Sequence, residues 1–250
     1  HIEIVDLPGA YSLNDYTIEE KVTKDFLNNE KYDIILNVLD STNLQRNLLL
    51  TAELLTLDKK MIIALNMSDE AEKESILIDE IQLSKILGKP CIKTSAAKKK
   101  GITKLLDEIL LKFQSQKVPS KFFFSNVIEE EIENISRVLE ENKYETTETY
   151  RQISLGLLKE NKNIYKQFHD EPIWIKIQPI LTEAFEHLFI HFNSKNIKDI
   201  FNEERFAFAK GAVIETVKQK NTNTTTLTER FDAILIHKFF GLPIFLFFMW

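Results

Sequence analysis

HIEIVDLPG, residues 1–9, reads as an apolar strand that runs into Asp6, two residues before the Pro8-Gly9 pair. Open α/β sheets bind ligands at the carboxyl ends of their strands, so the rest of the fold decides what Asp6 can do. A carboxylate placed there can hold Mg²⁺ through water while the Gly9 N–H approaches a terminal phosphate. Pro-Gly is equally the signature of a type II turn, and D-L-P-G alone leaves both readings open.

Downstream, strand and helix patterns alternate. TIEEKVTKDFLNN repeats Ile18, Val22 and Phe26 every four residues, which predicts a helix with one apolar face. Residues 34–40, IILNVLD, have the continuous aliphatic run expected of a strand covered on both faces. Ser41 and Thr42 can cap the next helix, NLQRNLLLTAELLTL, in which Leu44, Leu48 and Leu55 recur at helical spacing. MIIALN, residues 61–66, is a second buried strand. A helix is expected over about 78–87, with Gly88 where a stop wants positive φ. Pro90 leads into the short strand CIKT, and ITKLLDEILLKF closes the region as an amphipathic helix. The alternation predicts a parallel sheet with helices on both faces over residues 1–113.

KVPSKFFFSN reads as a linker or docking segment, and residues 114–222 as an all-helical domain. Within it Ile128, Ile132, Ile135 and Leu139 step by four, three and four while the glutamates face out. NTNTTT is a polar spacer. Phe239–Trp250, FFGLPIFLFFMW, is uncharged but shorter than the about twenty apolar residues that span a bilayer. It is either a buried core element or the first part of a transmembrane helix. The second is the expectation for residues 231–250, with Lys218, Lys220, Arg230 and Lys238 ahead of it marking a cytoplasmic side.

The 250 residues are 44% hydrophobic and 28% charged, with a net charge of -6 and one cysteine, Cys91. This describes a folded chain with room for two domains. It lacks the basic footprint of a nucleic-acid partner, and one cysteine excludes an intramolecular disulfide. Opening inside a strand without a methionine, the chain reads as a fragment.

The strongest chemical signal is N-M-S-D, Asn66-Met67-Ser68-Asp69, at the end of the MIIALN strand. Guanine presents N1–H and its 2-amino group side by side, so one carboxylate accepts from both, whereas adenine lacks that donor pair. Asp69 on the base edge and Asn66 fixing the loop therefore fit a guanine selector; a surface turn is the alternative. Such selectivity is large, because hydrogen bonds to charged groups contribute roughly 1.5–3 kcal/mol. One strand later T-S-A, Thr94-Ser95-Ala96, offers backbone N–H groups for the base carbonyl. The order DLPG, NMSD, TSA at successive strand ends carries more weight than any one motif.

DLPGAYSL, NVLDSTNLQRNLLLTAELL, ALNMSDEAE, the TSA turn and RFDAILIHKFFGLPIFLFFMW together resemble the bacterial ferrous iron transport protein B family across essentially the whole chain. The resemblance implies a P-loop GTPase-like α/β domain, a helical domain likened to a dissociation inhibitor, and the start of a polytopic membrane domain that carries Fe²⁺. It further implies GTP/GDP and Mg²⁺ as cofactors, a bacterial inner-membrane location with this region mostly cytoplasmic, and leaves a homo-oligomer open. By the same resemblance Asp6 and Gly9, with Leu7 and Pro8 between them, serve Mg²⁺ and the γ-phosphate. Asn66 to Asp69 serve guanine, and Thr94, Ser95 and Ala96 its carbonyl.

Two departures limit this. No pair among Gly9, Gly88, Gly101, Gly156, Gly211 and Gly241 supplies the phosphate-cradling G-x-x-x-x-G-K-[ST] loop. That loop is expected before His1, and the chain as given is expected to bind GTP weakly or not at all. Ala10 follows Gly9, where Ras-type GTPases place a water-orienting glutamine, so no catalytic side chain is named and slow hydrolysis is expected of the intact protein. The rival readings are a soluble regulatory GTPase with a helical appendage and a nucleotide-independent scaffold. His187 and His191, at i, i+4 with Glu183 nearby, lack the glutamate of H-E-x-x-H and read as a structural pair rather than a metal site. Cys91 reads as a core residue, Glu129–Glu131 as a solvated face, and Lys98–Lys100 as a solvated turn or a basic loop that attracts an anion.

Overall fold

The computed structural model describes residues 2–10, 12, 17–115 and 122–219. The polar spacer, the expected membrane segment 231–250 and most of the linker lie outside them. Among the described residues no helix is long and apolar enough to cross a membrane.

The first unit alternates as the patterns require: α1 (Ile18–Asn29), β1 (Ile35–Asp40), α2 (Leu44–Leu55), β2 (Met61–Asn66), α3 (Ser68–Lys73), β3 (Ile76–Ile78), α4 (Glu80–Leu87), β4 (Cys91–Lys93) and α5 (Ile102–Gln114). β1, β2 and β4 form a parallel sheet in that order, with Asp40 opposite Asn66 and Leu65 opposite Lys93. Because the strands are parallel, their carboxyl ends lie along one edge, and the loops after β2 and β4 become neighbours. β2 is central and buried up to Asn66, with Met61, Ile62, Ile63, Ala64 and Leu65 no more than 2% exposed. Burying its large side chains stabilises by roughly 1.5–3 kcal/mol each. Gly88 ends α4 at φ 61, as its position suggests.

In this unit four expectations are corrected. Residues 2–10 are not in a strand, and Ile2, Ile4 and Val5 are 51%, 80% and 53% exposed. A strand needs a hydrogen-bonded neighbour, and none of the described strands pairs with this segment. β1 is covered on one face only: Ile35, Asn37 and Leu39 point inward while Leu36 and Val38 are exposed. α1 turns its Glu20, Thr23 and Leu27 face inward and leaves Ile18 and Val22 exposed. Polar contacts set that rotation, since Thr23 Oγ1 donates to the Pro8 carbonyl at 3.0 Å and Ser12 Oγ to Glu20 at 2.9 Å. The helix expected from Ile78 starts at Glu80, capped by Asp79, because Ile76–Ile78 is a strand.

The second unit comprises α6 (Asn126–Glu141), α7 (Tyr150–Leu158), α8 (Lys162–His169), α9 (Trp174–His191) and α10 (Ile197–Thr216). The Ile128, Ile132, Ile135, Leu139 face of α6 is buried as its spacing requires. Its glutamates do not all face out: Glu131 is buried and Glu129 pairs with Arg151. Phe122 and Phe124, at the linker's end, dock edge-on against Phe208 and Phe201 of α10, with ring centroids 4.9 Å and 5.2 Å apart.

The unit is not purely helical. After Thr216 the chain forms β5 (Val217–Gln219), antiparallel to β3, with Leu77 opposite Lys218. The Asp79 N–H donates to the Thr216 carbonyl at 2.8 Å. α10 itself packs along α2 and α4, and Arg205 of α10 meets Glu53 of α2 at 2.6 Å. The last helix and strand of the second unit are thus fastened to the first.

Candidate functional site

The parallel pairing of β2 with β4 brings NMSD and TSA together. The Thr94 N–H donates to the Leu65 carbonyl at 2.8 Å, and Ser68 donates to the Thr94 carbonyl through its N–H at 3.1 Å and its Oγ at 2.9 Å. Asn66, at the end of β2, accepts at Oδ1 from the Ala96 N–H at 3.0 Å and from Thr94 Oγ1 at 3.5 Å. Met67 turns the chain with φ 57, which lets Ser68 begin α3 and sets Asp69 in its first turn. Asn66 thus ties the end of β2 to the turn after β4.

Asp69 is nearly covered, its side chain 13% exposed, and Lys98 Nζ lies 2.7 Å from its Oδ2. Hydrogen bonds from Lys98 and then Ser95 hold its carboxyl at about 2, so it is ionised at neutral pH and able to accept. Thr94 and Ser95 are buried, whereas Ala96 to Lys100 face solvent. The loop is closed by a reciprocal pair of backbone bonds, Ser95 N–H to Lys100 at 3.1 Å and Lys100 N–H to Ser95 at 3.0 Å. It is anchored by Gly101 at φ +74: a Cβ there would lie 2.1 Å from the Lys93 carbonyl oxygen. From outside the motifs Glu80 braces the strand before the loop, accepting from the Lys93 N–H at 3.1 Å and pairing with Lys104 at 3.2 Å.

An ionised carboxylate, a backbone N–H and a carboxamide converge here at solvent's edge, a set that matches the donor pair and carbonyl of guanine. The first motif stands apart. Asp6, Pro8 and Gly9 are exposed, and among the described residues no hydrogen bond or ion pair links residues 6–9 to the cluster. Ala10 lines a cavity of about 50 Å³ beside Asn37, Val38 and Arg46, room for water rather than a nucleoside. Among the described residues no group of three or more His, Cys, Asp or Glu side chains could hold a metal ion.

Of the other candidates, His187 turns to Glu131 of α6, with 2.5 Å between Nδ1 and Oε1, and that pair raises its pKa. It is a link between helices. Cys91 is buried, and burial pushes its thiol up to about 12, as befits a core residue. Lys98, read from sequence only as part of a turn or basic loop, is the member of the site that the motifs missed. The signal available was its position two residues past TSA.

A family model for ferrous iron transport protein B matches residues 1–109, and one for the cytosolic helical domain of the same protein matches residues 124–218. The Fe(2+) transporter FeoB of Campylobacter jejuni is 37% identical over 248 residues, 99% of this chain and 29% of that protein. The Helicobacter pylori transporter of the same name is 54% identical over 132 residues, 49% of this chain and 21% of that protein. The chain therefore spans under a third of the length of these relatives. Among solved structures, a GDP-bound point mutant of the S. thermophilus FeoB G-domain superposes with a TM-score of 0.74 at 27% identity, covering 85% of this chain and 80% of that one. With two models of one family matching most of its residues, the chain belongs to the ferrous iron transport protein B family.

Proposed function

We propose that this chain is the nucleotide-responsive cytoplasmic part of a ferrous iron transporter and that its NMSD–TSA cluster reads guanine. The observation that carries the reading is the convergence of Asp69, Asn66 and the Ala96 N–H at the carboxyl edge of the sheet. In this assignment Asp69 accepts from guanine N1–H and the 2-amino group, Ala96 shares with the base carbonyl the N–H it now donates to Asn66, and Asn66, Met67, Ser68, Thr94 and Ser95 shape the loop. Residues 1–113 act as the nucleotide domain, 114–222 as the helical domain, and 231–250 lead into a membrane domain that moves Fe²⁺. Asp6 and Gly9 are assigned to the phosphate side, with Asp6 reaching Mg²⁺ only through water. Phosphate oxygens would have to supply most of that ion's ligands. Support for GTP or GDP as the ligand comes from the GDP-bound S. thermophilus domain, and for Fe²⁺ and the membrane from the relatives' names.

The base edge is testable without the phosphate contacts. In a two-dimensional ¹H–¹⁵N spectrum, GMP at millimolar concentration is expected to shift the Ala96 and Asp69 amides, and AMP at the same concentration is not. Equal shifts with both, or shifts confined elsewhere, would overturn the assignment.

A further inference from the structure

We propose that Lys98 sets the affinity of this site by competing with guanine for Asp69. The ammonium is a tethered stand-in for the N–H donors of the base, and the inference rests on the guanine reading above. Three observations carry it. The lysine is delivered by a closed loop: the reciprocal Ser95–Lys100 bonds, the Lys99 N–H to the Ala96 carbonyl at 3.1 Å and the Lys98 N–H to Ser95 Oγ at 3.4 Å fix its backbone beside Ala96. Its Nζ lies 2.7 Å from Asp69 Oδ2, on a carboxylate that is 13% exposed, while the lysine side chain is 45% exposed. The lysine therefore occupies one oxygen of the carboxylate while its own side chain keeps access to solvent. Hydrogen bonds from Lys98 and Ser95 already engage this carboxylate, so a base with two parallel donors meets competition from the ammonium at Oδ2.

Displacement is feasible because Lys98 is half exposed and its head regains water when it swings out. The pair nevertheless opposes binding, and on release of the base the tethered lysine recaptures the carboxylate at once. Exposed ion pairs limit the size of the effect, so Lys98→Gln is expected to tighten GMP binding by up to about fivefold. Lys98→Arg, which keeps a cation on the same loop, is expected to stay within about twofold of the unaltered chain. A lysine that instead attracts the phosphate gives the opposite sign.

The test is a GMP titration of the intact chain and the two variants, followed at the Ala96 amide, with AMP as the control. Tighter GMP binding in Lys98→Gln, with the Arg variant near the parent, bears the proposal out. Unchanged or weaker GMP binding in Lys98→Gln overturns it and leaves the guanine site standing. An Ala96 amide that ignores GMP in all three proteins removes the guanine site itself, and the proposal with it. Loss of spectral dispersion in the Gln variant would contradict the solvent-facing role given to the side chain.

Discussion

Removing the carboxylate at the Glu53–Arg205 junction tests whether the two units are held together by charge as well as by packing. The Arg205 and Glu53 side chains are 10% and 12% exposed, and Arg205 Nη1 lies 2.6 Å from Glu53 Oε2. Glu53→Gln keeps the size and leaves the guanidinium buried without its counter-charge. Breaking one side of a buried pair costs about 3–5 kcal/mol, and residual solvent access places this one near the lower end, about 3 kcal/mol. For a chain of this size 1 kcal/mol shifts Tm by roughly 2–4 °C, so a fall of about 6–12 °C is expected. A second signature comes from Lys159, whose ammonium lies over the rings of Phe124 and Phe201 at 5.7 Å and 5.4 Å. Burial pushes its pKa down to about 8, and Glu53 is the carboxylate that opposes this. A lysine whose folded pKa is lowered penalises folding while protonated, so stability rises as pH climbs through that value. Without Glu53 the lysine deprotonates at lower pH, and part of the variant's deficit closes between about pH 7 and 9. Double-mutant analysis with Arg205→Met, by thermal and urea unfolding, separates the pair from the packing: Glu53→Leu with Arg205→Met is expected to recover most of the loss. A Glu53→Gln change under about 0.5 kcal/mol, or a deficit independent of pH, would refute the reasoning.

Other consequences are as direct. Gly101→Ala places a Cβ 2.1 Å from the Lys93 carbonyl oxygen at a positive φ, and is expected to cost about 1–3 kcal/mol and to move the Ser95 and Ala96 amides, read by urea unfolding and NMR. His187 has its pKa raised by the hydrogen bond to Glu131, so its contribution is complete below the ordinary histidine value and fades as pH rises through the raised one. The Tm gap between the parent and His187→Gln should accordingly be largest near about pH 6 and close on the alkaline side. Leu77→Cys with Lys218→Cys puts thiols at directly opposed antiparallel positions, within disulfide reach, and mild oxidation should link them within one chain. Failure to cross-link would remove the β3–β5 joint.

Much of the fold was legible because its signals are local. The unbroken aliphatic run of β2, the 3.6-residue face of α6 and the αL-compatible Gly88 each announce their element without reference to anything distant. NMSD and TSA were legible for the same reason: each sits at a strand end, and parallel pairing alone makes them neighbours. What escaped depends on contacts far apart in sequence. Ile76–Ile78 and Val217–Gln219 are too short to declare themselves as strands and owe their conformation to each other. The rotation of α1 follows from Pro8 and Ser12, not from its own apolar spacing. HIEIVDLPG carries a strand's composition, yet none of the described strands pairs with residues 2–9, and composition alone does not make a strand. Lys98 looked like one of three solvated lysines because nothing in KKK says which of them the loop aims at Asp69.

That Asp69 reads the guanine edge is tested most directly by changing its donor preference. In Asp69→Asn the carboxamide oxygen still accepts from N1–H, but the new amide donates where guanine also donates. GMP should lose its effect on the Ala96 amide, and XMP, whose 2-oxo group accepts, should gain one. A variant that keeps its response to GMP and ignores XMP would contradict the assignment.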